Sequence, residues 1–152
     1  MARASGAAAP SAEAADTTTK QQRQQQDEAR VRALLRDLRV DTGDVVLFDR
    51  KCASMGLYGG AICACAKFFG QTQWDHNGVV VRVPSPSPAA APEDELFLLE
   101  AAITGVKLRP LVARVLRSGG HEVAVRKLQV ARPPELQTRA LRFAMSSVDA
   151  PY

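Results

Sequence analysis

Histidine is scarce in this chain of 152 residues: there are two, His76 and His121. Aromatic residues are also few, one Trp, two Tyr and five Phe, and they do not alternate with basic residues. That pattern offers no base-stacking surface. A net charge of +4, spread over 20 basic and 16 acidic residues, is too diffuse for a nucleic-acid footprint. The three cysteines, Cys52, Cys63 and Cys65, form no zinc pattern, since a single alanine separates the last two. Their odd number and the absence of a secretory signal predict reduced thiols in an intracellular, cytoplasmic setting. No uninterrupted apolar run approaches the roughly 18 residues of a membrane span. "GLYGGA" lacks the lysine and the preceding strand of a phosphate loop, and no cofactor is implied.

What is present divides the chain in three. Residues 1–20 are rich in Ala, Ser and Thr and have no large apolar side chain after Met1. Such a segment cannot bury enough surface to offset chain entropy and is expected to be a disordered tail. Residues 21–40 carry Val31, Leu34, Leu35 and Leu38 at helical spacing, which predicts an amphipathic leading helix. Packing on the domain is its plain use, and peripheral membrane contact the rarer one.

Residues 41–152 form the domain. Asp41-Thr42-Gly43-Asp44 reads as a turn before a strand from Val45 to Phe48. A helix follows to Gly70, with Ser54 as its cap, Ile62, Ala66 and Phe69 near one face, and Gly59-Gly60 weakening it. "GVVVRV" is a second strand, and "PSPSPAAAPEDE" a surface loop with no packing content. "LFLLEAA" and "VKLRPL" form a hairpin about Thr104-Gly105, and Pro110 opens a short helix that Gly119-Gly120 ends. "HEVAVRKLQV" is a fifth strand, with Val123, Val125 and Leu128 alternating. After Pro133-Pro134, a last helix places Leu136, Ala140, Phe143 and Ala144 together. This order predicts an α+β fold, a small antiparallel β-barrel or sheet with helices packed on one side.

His76 stands in "WDHNGVVV", at the mouth of the second strand. An imidazole serves as a general base only when its tautomer and ring angle are fixed, commonly by a carboxylate. Glu100, which ends the apolar run "LFLL", is the candidate, because a carboxylate buried on a strand needs a partner. The bland alternatives are a satisfied turn histidine and a strand end that reaches solvent. Asp75 points away from His76 in an extended segment and shapes the turn. His121 is expected to be exposed.

The ordered set "TGDVVLF", "WDHNGVVV", "LLEAAITGVKLRPL" and "VAVRKL" resembles the circularly permuted papain-like amidases, of the superfamily that includes the lecithin:retinol acyltransferase-like proteins. The resemblance spans about residues 38–152. It implies a small antiparallel barrel or sheet against helices, with His76 as base and Glu100 as the group that orients it. In that family the nucleophilic cysteine follows the histidine, at a helix start. Here no cysteine follows His76, so the domain is expected to be a C-terminally truncated piece of a thiol hydrolase. Its substrate would be an amide or an acyl lipid. The alternative is a non-catalytic binding module that keeps the cleft. Among the earlier thiols, Cys52 is the best placed, beside Arg50 and Lys51, whereas Cys63 and Cys65 are expected to pack as small hydrophobes.

Overall fold

The computed structural model describes residues 12–151 apart from 53–55, 86, 88, 90 and 103. A long helix, α1 (Ala12–Asp37), leads into strand β1 (Val45–Arg50), helix α2 (Gly56–Gly70) and strand β2 (His76–Arg82). A short 3₁₀ turn (Pro92–Glu95) precedes the hairpin of β3 (Leu96–Ala102) and β4 (Gly105–Pro110). Helix α3 (Leu111–Leu116), strand β5 (Gly120–Arg126) and helix α4 (Pro134–Ser147) complete the order. The strands form one antiparallel sheet in the order β4-β3-β2-β1-β5. The fold is α+β, as expected. The sheet is open, with β4 and β5 at its edges, so it is not a barrel.

One face of the sheet carries the core. Val46 and Phe48 of β1, Val80 of β2, and Leu96 and Leu98 of β3 are all but inaccessible. They pack with Leu35 of α1, with Val40, and with Leu111 and Val112 of α3. Successive strand residues point to opposite faces, so Val81, also buried, lies on the other side. Helix α4 packs against β2 and β4, and its Ala144 is fully buried. The expectation of helices on one side is therefore corrected: α1 and α3 cover one face and α4 the other.

The leading helix is longer than expected. Its bounds include residues 12–20 of the anticipated tail, and residues 1–11 lie outside the described residues. Only part of the expected apolar stripe is used: Leu35 is buried and Val31 packs against the core, whereas Leu34 and Leu38 are exposed. Charge does the rest of the docking. Arg36 holds Glu93 through two hydrogen bonds of 3.0 and 3.1 Å, and Arg32 donates to Asp94 at 3.0 Å. Glu93 is buried, so the loop expected to have no packing content does anchor α1. Helix α2 departs further. Ile62 and Phe69, expected to face the core, are exposed, as are Leu57, Tyr58 and Phe68. The proposed cap Ser54 and the side chain of Ala66 fall outside the described residues. In α4, Phe143 is likewise exposed, and in β5 Leu128 lies beyond the strand end.

Gly78 fixes how β2 sits on β3. A Cβ placed there would lie 2.6 Å from Cγ of Leu98 and 2.9 Å from the backbone oxygen of Leu99. Both distances are too short for real contacts, and the second cannot be relieved by a rotamer change. Gly78→Ala should lower the free energy of unfolding by about 1–3 kcal/mol through overpacking. Urea denaturation checks this, and stability equal to that of the unmodified protein would show that the strands part at no cost.

Candidate active site

The end of the sheet that holds the starts of β2 and β4 and the ends of β1 and β3 is where the core face turns polar. Phe48, His76 and Glu100 share that face. Phe48 is paired in register with His76, and their rings lie 5.9 Å apart. Glu100 follows Leu96 and Leu98 on the buried side of β3. Strand register therefore sets a buried carboxylate beside a half-buried imidazole. Nε2 of His76 and Oε2 of Glu100 are 2.6 Å apart, with the Glu100 side chain 3% exposed.

Glu100 has further partners. Nε of Arg114, on α3, donates to both carboxylate oxygens at 2.8 and 2.9 Å, and Nε of Arg109, at the end of β4, lies 3.2 Å from Oε1. Burial alone would raise the pKa of this carboxyl. The hydrogen bonds from His76 and Arg114 and their charges outweigh it and hold the group at about 2. Arg114 is itself placed by Phe48, whose ring centroid lies 4.6 Å from its guanidinium carbon.

Asp75 closes the floor. Its side chain is fully buried. It accepts from the backbone N–H of Arg50 and from Arg50 Nε, both at 2.7 Å. Lys67 of α2 donates to the Arg50 carbonyl at 2.7 Å and pairs with Asp49. These bonds tie the end of β1 and helix α2 to the entry of β2, a structural task that shapes the turn before His76.

The thiols differ from expectation. Cys52 and Cys63 are joined in a disulfide, with Cα atoms 5.4 Å apart, so they are not reduced thiols. Ten residues separate two positions that the return of α2 toward β1 brings together, a proximity not legible from spacing alone. Cys63 is buried, but as half of the bridge and not as the free small hydrophobe expected, and Cys65 is exposed. Cys52, the best placed thiol by sequence, is thus committed to a bridge. The side chain of His121 lies outside the described residues. Among the described residues no group of three or more His, Cys, Asp or Glu side chains could hold a metal ion. No helix among them is long and apolar enough to cross a membrane.

These groups line one cleft of about 590 Å³. His76, Glu100, Asp75 and Cys63 contribute to it, with α3 on one side and α2 on another. Sequence reasoning found His76 and Glu100. It missed Arg109, Arg114 and Cys63 as wall residues. Arginines at positions 109, 114 and 117 around a proline-opened turn of helix were the signal available. With Nε2 bound to the carboxylate, the second ring nitrogen, Nδ1, is the atom left to exchange a proton with a ligand. Comparison with protein-family models, with curated proteins and with solved structures finds no match to this chain.

Proposed function

We propose that the cleft holds the base and orienting group of a thiol hydrolase built on the permuted papain-like plan, acting on an amide or ester. The observation that carries this reading is the 2.6 Å contact between His76 Nε2 and buried Glu100. An ionised carboxylate accepts the Nε2 proton, which leaves the Nδ1 lone pair as the base. In such a site Nδ1 takes the proton of a cysteine thiol, and the thiolate adds to the carbonyl carbon. The imidazolium returns that proton to the departing amine or alcohol as the C–N or C–O bond breaks. Water then cleaves the thioester, giving its proton to Nδ1 on attack.

The thiol is the missing part. No cysteine follows His76 in the sequence, and Cys63, the cysteine lining the cleft, is bonded to Cys52. A second reading, a binding module, draws on the same fact and on the engagement of Glu100 by two arginines as well as by His76.

Turnover separates the two. The chain, joined to whatever its transcript encodes beyond Tyr152, is assayed on a nitrophenyl ester and a nitroanilide. The hydrolase reading expects activity that iodoacetamide abolishes and His76→Ala lowers at least about 100-fold. The 152 residues alone are expected to be inactive. No turnover from the longer form, or turnover indifferent to His76→Ala, leaves the binding module. Activity of the 152 residues after reduction, lost in Cys52→Ala or Cys63→Ala, would place the nucleophile before the histidine instead.

A further inference from the structure

We propose that the cleft around His76 binds an oxyanion, a carboxylate or phosphate carried by its ligand, and that Arg109 and Arg117 grip it. Four arginines line the cleft, Arg50, Arg109, Arg114 and Arg117, against two carboxylates, Asp75 and Glu100. The excess is two positive charges, before any charge on His76. Its distribution matters more than its size. Both carboxylates lie on the floor, with side chains 0% and 3% exposed, and both are already engaged. Asp75 is committed to Arg50, and Glu100 to Arg114 and His76.

That leaves two guanidinium groups at the mouth. Arg109 reaches Glu100 with Nε alone, and half of its side chain is exposed. Arg117, the residue that caps α3, is exposed and has no acidic partner among the described residues. Arg114 and Arg117 stand three apart at the end of one helix, so they present to the same side. An excess of positive charge above a low-dielectric wall, with Arg117 and the outer nitrogens of Arg109 facing the opening, concentrates anions there. The planar fork of arginine matches the oxygens of a carboxylate or phosphate in pairs, which a lone ammonium does not. The rest of the wall is apolar, with Ile62, Ala101 and Ala113 among its residues. A ligand that fits has an apolar body and a terminal oxyanion. As a statement about substrate this rests on the hydrolase reading; as a statement about binding it does not.

Binding is therefore measured directly, with inorganic phosphate titrated into the full chain at constant ionic strength and followed by amide chemical shifts. Phosphate should saturate a site whose shifts centre on β4 and α3. Arg117→Gln, which removes an exposed side chain with no acidic partner among the described residues, should weaken it at least fivefold, and Arg109→Gln should do the same. Arg142→Gln, on α4 and outside the cleft, should leave it unchanged. A second arm uses vesicles of phosphatidic acid or of phosphatidylcholine. Retention on phosphatidic acid alone, lost in Arg117→Gln, identifies a lipid headgroup as the source of the oxyanion. A response to free phosphate without vesicle retention identifies a soluble ligand. The proposal is overturned if neither probe binds, or if Arg142→Gln weakens binding as much as Arg117→Gln, since the attraction is then only net charge. Phosphate binding with no turnover from the longer form would remove the hydrolase reading and leave this one, and turnover from the longer form without phosphate binding the reverse.

Discussion

Replacing Asp44 by alanine should cost about 3–5 kcal/mol of stability, because it takes a shared buried partner from two cations and two backbone N–H groups at once. Asp44 is fully buried beneath the turn that joins α1 to β1. Its carboxylate accepts the backbone N–H of Asp41 at 2.9 Å and of Leu128 at 2.8 Å. It also pairs with Lys127 and with Arg132. Burial alone would raise the pKa of this group. The Lys127 bond and the two backbone donors overcome that and hold it below the usual carboxylate range. Four donors thus converge on one side chain from the α1–β1 turn, the exit of β5 and the approach to α4. Asparagine keeps the shape, but its carbonyl can accept only about two of these bonds and its amide turns two donors toward donors. Asp44→Asn should therefore lose most of what alanine loses. Guanidinium denaturation gives the comparison, with Asp27→Ala as control. Asp27 is mostly exposed, 3.8 Å from Arg30, and its loss should fall within about 0.5 kcal/mol. A small effect for Asp44→Asn would mean that water replaces the carboxylate and that the cluster adds little.

The sequence around Asp44 read as a plain turn, and locally it is one. Asp41 caps the N–H of Thr42 at 2.8 Å, and Gly43 has the positive φ of +88° that a turn glycine permits. What could not be read is that its partners come from 83 to 88 residues further along the chain. Periodicity reports local faces, and long-range ion pairs leave no periodic trace. The strands, by contrast, were legible, because β-branched runs bounded by turn residues are a local signal. So was the pair at the site, and for a stated reason. A carboxylate that ends an apolar strand must find a partner, and His76 stood at the mouth of the strand that precedes it in the expected order. The same logic failed for α2. Ile62 and Phe69 share a face by helical spacing, yet both are exposed, and so are Leu57, Tyr58 and Phe68. Hydrophobicity says that a face favours cover, not that this chain supplies it.

The site and the acid stability of the fold are linked through Glu100. Its carboxyl titrates at about 2 in the folded chain, against an ordinary 4.5. As pH falls, the unfolded chain takes up this proton first. The stabilisation is therefore fully present above about pH 4.5 and is lost progressively as pH falls toward 2. The separation corresponds to a contribution on the order of 3 kcal/mol. Glu100→Gln removes the titration while keeping the side chain's size. At neutral pH it should be less stable than the unmodified protein by roughly that amount, since Arg114, Arg109 and His76 lose an ionised partner. Between pH 4.5 and 2 the unmodified protein should weaken faster than the variant, and the two should converge as Glu100 is neutralised. Asp44 and Glu93, whose carboxyls are also lowered, contribute acid sensitivity to both proteins and cancel in the comparison. Urea unfolding at half-unit steps of pH measures the difference. Convergence ties the stability of this corner of the sheet to the ionised carboxylate that orients His76. Parallel curves down to the acid limit would mean that Glu100 is held by packing alone, and that its contact with His76 does not depend on charge.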